Sequence, residues 1–287
     1  MFHVSFPNNQ TFERQRMCAL LVRFVVVLSV LSGSAKATTF VDEFSGCFDD
    51  WWCAEQSSHH QHAVLVLQNR TRFPVVVTTE FWWRNAISVD NQPLPKHMTV
   101  SLGPEERVEL VVIKPRQLNQ TTRVYSRFHW VGGVLNATHD DTYRYQLPFA
   151  PEQQYRMVQG FGGGYSHTGA SRYAVDFAMP VGTPVHAARG GLVIDTEQSH
   201  RQGGASRRYA KYANYVVILH SDGTTGEYYH LQFNGVAVET GEEVSAGDML
   251  GYSGNTGFSS LPHLHFAVYS ARAFGEYQSI PFQFLPH

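Results

Sequence analysis

Charge, cysteine and long apolar runs are all sparse in this chain, and each shortage excludes something. Only 16% of the 287 residues are charged, with 22 Lys+Arg against 24 Asp+Glu. Neither sign dominates, which argues against the concentrated basic surface of a nucleic-acid-binding protein. Three cysteines are too few for a four-cysteine structural metal site. The apolar run Phe24 to Leu31 falls far short of the about 20 residues that span a membrane as a helix. No His-Glu-x-x-His occurs, which excludes a helix-borne zinc site with a glutamate base. Gly160 to Gly164 is not followed by Lys-Ser/Thr, so it is not a phosphate-binding P-loop. What the chain does have is aromatics (13%), 24 glycines and 15 histidines. That composition fits a strand- and turn-rich globular protein with scope for imidazole chemistry.

The first segment reads as an address. Arg14, Arg16 and Arg23 precede or flank the apolar run, and Ser32-Gly33-Ser34 and Ala35-Lys36-Ala37 follow it. A basic region, a short apolar region and a small-x-small site predict an export signal over residues 1–37, cut after Ala37. Met17 is an alternative start, and a retained anchor is the alternative to cleavage. The mature chain would carry 18 basic and 23 acidic residues, a net of -5. It would lie in the periplasm or cell envelope, or be secreted, without stable membrane insertion. Cys47 and Cys53 remain; in an exported chain they are expected to form a disulfide, the alternative being two reduced, buried thiols.

Residues 38–150 show repeated period-2 alternation. Val75, Val77, Thr79, Phe81 and Trp83 share one face, and Val108, Leu110 and Val112 repeat the pattern with Arg107 and Glu109 outward. Turn signals such as Gly103-Pro104 and Gly132-Gly133 separate these runs. Several short strands predict an immunoglobulin-like β-sandwich, an accessory module that positions, binds substrate or inhibits. All five Trp fall here: Trp51, Trp52, Trp82, Trp83 and Trp130. They form either a sugar-stacking surface or, as the sandwich favours, its core and rim. His59, His60 and His62 lack a complete ligand set and read as a solvated loop.

Pro148 and Pro151 bracket the expected boundary, and residues 151–287 are predicted to form a mostly antiparallel β-sheet. Gly191–Asp195, Asn214–His220, Thr225–Leu231 and Pro262–Tyr269 read as strands, with Ser221-Asp222-Gly223 as a hairpin turn. His263 and His265 are two apart on a strand, so their side chains share one face while Leu264 and Phe266 take the other. His230 ends a strand, His167 lies in a glycine-rich loop, and Asp176 is flanked by Val175 and Phe177. A partly desolvated carboxylate there needs a partner, most economically a cation. The basic stretch Arg201 to Lys211 is either a carboxylate-binding element or a solvated hairpin loop.

His167…Asp176-Phe177, Tyr228-Tyr229-His230-Leu231, Gly251-Tyr252-Ser253-Gly254-Asn255-Thr256-Gly257 and Pro262-His263-Leu264-His265-Phe266 together resemble the lysostaphin/LytM-type zinc metallopeptidases, from about Met157 to Tyr269. The resemblance implies that His167, Asp176 and His265 bind one Zn²⁺ per chain, and that His230 and His263 are unligated catalytic histidines. It implies hydrolysis of peptide bonds in peptidoglycan. The chain departs from the family in one respect: three residues usually separate the first His from the Asp, whereas Thr168 to Val175 intervene here. That leaves the geometry of the loop open. A non-catalytic wall-binding or hydrolase-activating protein on the same fold is the alternative reading.

Overall fold

The computed structural model describes residues 40–41, 45–59 and 62–286. The export-signal expectation and His60 lie outside them. The described residues are almost wholly β, with only short 3₁₀ turns besides. Among them no helix is long and apolar enough to cross a membrane. They form two compact units that part between Trp130 and Val131.

The first unit contains two sheets. One has the order Phe40–Val41, Thr122–Gly132, Val75–Arg84, His97–Leu102; the other runs Ser45–Phe48, Trp52–His59, His62–Asn69, Arg107–Pro115, Ala86–Ser88. Phe48 and Trp52 of the second sheet meet Phe128 and Trp130 of the first, with ring centroids 5.2–5.7 Å apart. Trp51, Trp52 and Trp130 are buried, as a core role requires, while Trp82 is exposed under the Arg127 guanidinium. Along Val75–Arg84 the expected alternation does not show in the first half: Val75 to Thr79 are all buried, Val76 and Thr78 of the opposite face included, and beyond them Phe81 is buried but Trp83 only partly. Along Arg107–Pro115 it changes phase: Leu110 and Ile113 are buried, but Val112 only partly. The register shift opposite Leu65/Val66 supplies the reason, because a bulge inserts one residue and reverses the faces beyond it. Cys47 and Cys53 face each other across the first hairpin and form a disulfide. His59 and His62 close the next hairpin.

The second unit is built on an antiparallel sheet in the order Met157–Gln159, Val175–Phe177, Leu264–Ala271, Thr225–Tyr229, Tyr215–Leu219, Gly191–Glu197, Glu243–Val244, with Tyr277–Ile280 also on Leu264–Ala271. One face packs Val175, Phe177, Val216, Ile218, Tyr228, Leu264 and Phe266 against Leu231, Leu250 and Val185 of a smaller three-stranded sheet. Fully burying each large side chain contributes about 1.5–3 kcal/mol. Strand alternation then sends Asp176, His265, Glu227 and Tyr229 to the opposite face. The expected boundary at Pro148 requires a correction. Tyr145 and Phe149 are buried in this second core, so residues 131–150 belong to its unit.

Candidate metal centre

Asp176 is the hub of the site. In strand register it lies between Gln159 on one side and His265 on the other. Its Oδ1 is 3.1 Å from His167 Nε2 and 2.9 Å from His265 Nδ1. The ligand atoms of His167, Asp176 and His265 all lie within 4.8 Å of one another. Gln159 Nε2 donates to Asp176 Oδ2 at 3.1 Å and sits 2.6 Å from Ser166 Oγ. Burial alone would raise the Asp176 pKa; the close approach of His167 and the hydrogen bond from His265 outweigh it and hold the carboxyl well below the usual range.

His167 reaches this point by a detour. The residues after it fold into a 3₁₀ turn, Gly169–Ser171. Tyr269 Oη donates to Ser171 Oγ, and Tyr173 N–H donates to Ser279 Oγ, so the longer loop is pinned to the sheet and re-enters it at Val175. The extra residues bulge outward and both ends converge, which settles the loop geometry that the spacing left open. His167 Nδ1 donates to the Gly160 carbonyl at 2.9 Å, leaving a fully buried Nε2 with no hydrogen-bond partner. An unpaired buried nitrogen is costly. A cation shared with Asp176 and His265 would satisfy it, and two imidazoles with one carboxylate are a donor set suited to zinc. The residues therefore fit the metal.

His230 and His263 stand beside this group. Their rings are 4.6 Å apart, and His263 Nε2 is 3.8 Å from Asp176 Oδ1. His230 Nδ1 bonds the Thr256 carbonyl at 2.7 Å; His263 Nδ1 bonds the Leu261 carbonyl at 2.7 Å, with Ser259 Oγ at 3.0 Å. These partners assign the proton to Nδ1 in both rings and leave each Nε2 a lone pair. Burial, with His263 and His265 nearby, pushes the His230 pKa well below its ordinary value, and burial also lowers that of His263. Both are neutral at neutral pH. By strand alternation His230 would follow Tyr228 into the core. A left-handed backbone at φ 68° breaks the strand there, and its ring lies 5.9 Å from that of His265 instead.

All five residues singled out in the sequence are thus brought together. His186, His200 and His220 stay apart: His186 and His220 bond the carbonyls of Gly247 and Gly190, and His200 Nε2 lies 3.7 Å from Glu197 Oε2. Sequence reasoning missed Gln159 and Ser259, and the carbonyls of Gly160, Thr256 and Leu261 that orient the rings. A lone Gln or Ser carries no pattern, and a carbonyl carries no residue type at all.

Comparison with known proteins finds the same pattern of residues elsewhere. Residues 170–276 match Peptidase family M23. The matched stretch includes Asp176, His230, His263 and His265; His167 lies just before it. Among individual relatives, the chain is 32% identical over 154 residues to the peptidoglycan DD-endopeptidase ShyA of Vibrio cholerae, covering 52% of this chain and 33% of that protein. It is 39% identical over 100 residues to the glycyl-glycine endopeptidase ALE-1 of Staphylococcus capitis, covering 34% and 24%. The chain spans about a third or less of the length of these curated relatives. A solved lysostaphin from Staphylococcus simulans aligns with a TM-score of 0.33 and 31% identity over 44% of this chain and 47% of that one.

Proposed function

We propose that this protein is an exported zinc metalloendopeptidase, with one Zn²⁺ per chain, that hydrolyses peptide bonds in peptidoglycan stem peptides or cross-links. The observation that carries this reading is the convergence of His167, Asp176 and His265 within ligand distance of one another, beside two neutral imidazoles. Those three side chains would hold the ion and leave one tetrahedral position open. Zinc, when bound, supplies a Lewis acid and a water of lowered pKa.

The chain's own residues handle the protons. His263 and His230 each present an Nε2 lone pair that accepts a proton from the attacking water and returns one to the leaving amine. Once protonated, either ring donates a hydrogen bond to charge developing on the scissile carbonyl. The backbone carbonyls at Nδ1 fix both rings, so little reorganisation is needed. Gln159 performs the same service for Asp176, and such outer partners typically change metal affinity by about 10–100-fold. The export pattern in residues 1–37 and the Cys47–Cys53 disulfide support an extracytoplasmic site of action. With the boundary moved as the fold requires, residues 38–130 are read as an immunoglobulin-like accessory module and 131–287 as the peptidase domain.

Metal analysis combined with digestion of purified sacculi tests the reading. One zinc per chain and soluble peptide fragments are expected, with loss on chelation and recovery on adding zinc. Stoichiometric zinc with no cleavage of sacculi would favour the non-catalytic wall-binding or hydrolase-activating alternative.

A further inference from the structure

The segments surrounding the site are predominantly basic. Residues 159–174, 198–214, 231–236 and 254–263 contain Arg172, Arg201, Arg207, Arg208 and Lys211 and no Asp or Glu. The acidic neighbour at their border, Glu197, is taken up by the Ser199 amide and His200. This contrasts with a mature chain of net negative charge. Among the described residues Arg201, Arg208 and Lys211 make no ion pair.

These cations rest on aromatic rings instead. The Arg201 guanidinium lies 3.4 Å from the Phe233 ring centroid, Arg208 4.8 Å from that of Tyr209, and Lys211 Nζ 4.8 Å from that of Tyr212. Arg207 lies 5.6 Å from Phe258, whose ring stacks on the exposed Tyr165 at 5.5 Å. A guanidinium held over a ring keeps donors free for a planar acceptor; Arg208 spends one of its donors on the Tyr209 hydroxyl at 3.0 Å.

This basic, aromatic-backed rim is tied to the catalytic loop. Gly203 and Gly204 pair in parallel with Gly257 and Phe258. Gly257 N–H donates to Gln202 O at 2.8 Å, and Ser259 N–H to Gly204 O at 3.2 Å. A Cβ at Gly203 would lie 1.9 Å from the Asn255 carbonyl oxygen, so only glycine permits the approach. At the other end of the rim, buried Asn214 bonds the carbonyls of His200 and Leu231. Thr256 and Ser259, on the same loop, orient His230 and His263. The rim is therefore joined by backbone pairing and hydrogen bonds to the loop that orients both histidines.

We infer that this rim binds a peptide bearing free carboxylates beside the scissile bond, and so selects acidic over amidated substrate strands. The inference rests on the endopeptidase reading and narrows its substrate class. Fork-shaped guanidinium groups match carboxylates in bidentate fashion, and a carboxamide offers neither the charge nor the second acceptor.

Binding, not turnover, provides the test. The His263→Ala protein, loaded with zinc, is titrated with two cross-linked stem peptides that differ only in free carboxyl against carboxamide. The acid should bind about tenfold tighter at low salt, a ratio expected of a few partly exposed charge pairs, and the advantage should shrink as salt rises. Arg201→Gln combined with Arg208→Gln should bring the ratio to about one, and Arg201→Lys should preserve part of it. Arg107→Gln, in the first unit opposite Glu55, should leave the ratio as it was. Equal binding of the two peptides overturns the inference, as does a double variant that weakens both in the same proportion. Stronger binding of inorganic polyphosphate than of either peptide also overturns it and assigns the rim to a phosphate polymer. A protein that keeps the acid preference but cleaves no sacculi retains the surface and loses the enzyme; one that cleaves sacculi without the preference does the reverse.

Discussion

On one side of the strand Leu264–Ala271, His265 meets Asp176 and His167. Toward the other side, His220 packs against Tyr145 and lies near Gly226 and Phe266, with the Arg189–Asp222 ion pair close by. Both places hold a carboxylate with cationic or imidazole neighbours, Asp176 buried and Asp222 partly so, yet their bonding differs. Asp222 is saturated: Oδ2 accepts from Arg189 at 2.7 Å and the Asp140 amide at 3.0 Å, and Oδ1 accepts from the Thr224 amide and hydroxyl. Those bonds fasten segment 131–150 onto the second core. Asp176 instead shares one oxygen among histidine nitrogens, and His167 Nε2 is left unpaired. Burial of polar groups is common to a structural clamp and a metal centre. Both sides leave a buried imidazole nitrogen unpaired, His220 Nε2 and His167 Nε2; only at the candidate metal centre does that nitrogen converge with a carboxylate oxygen and a second imidazole, all within 4.8 Å of one another.

Four substitutions or conditions can break that contrast. The largest effect is expected for His265→Ala, which should release zinc and lower turnover by more than about 10⁴-fold, beyond what loss of a single proton-transfer group causes. Zinc content and sacculus digestion measured together check it. His263→Ala should keep the metal and lower turnover by about 10²–10⁴-fold; released zinc would show that the division between ligand and proton carrier is drawn in the wrong place. On the clamp side, Asp222→Ala leaves Arg189 buried without its partner. A loss of about 3–5 kcal/mol of stability follows, read as a lowered Tm with zinc stoichiometry retained in the folded protein.

The smallest effect is a pH dependence. Burial lowers the His220 pKa to about 4 from an ordinary 6.5. The folded state thus binds fewer protons than the unfolded one, and stability falls as pH drops through this window. Roughly 2 kcal/mol should disappear between pH 7 and pH 5, and the slope should flatten in His220→Gln. An unchanged slope would remove His220 as its source.

The strands and the five site residues were legible in the sequence because period-2 alternation is a local signal. His263 and His265 declare their common face by spacing alone. Four features were not legible. The Leu110 bulge depends on a partner strand. Tyr145 and Phe149 look like any apolar residues near a proline, so the pattern cannot tell which core they join. Eight residues between His167 and Asp176 do not say whether the chain closes on itself; the bonds to Ser171 and Ser279 that make it do so come from the distant strands Leu264–Ala271 and Tyr277–Ile280. His230 was found by its motif, but the left-handed turn that swings it toward its neighbours leaves no mark in residue type.

The placement of sulfur has a practical consequence. The disulfide joins Cys47 and Cys53, and residues 131–287 contain no cysteine. Reducing agents or a thiol-rich compartment can therefore open the small hairpin of the first unit without touching a covalent bond in the second. Purification under reductant and under air should yield peptidase units that melt alike, and any difference between the two preparations traces to the hairpin alone.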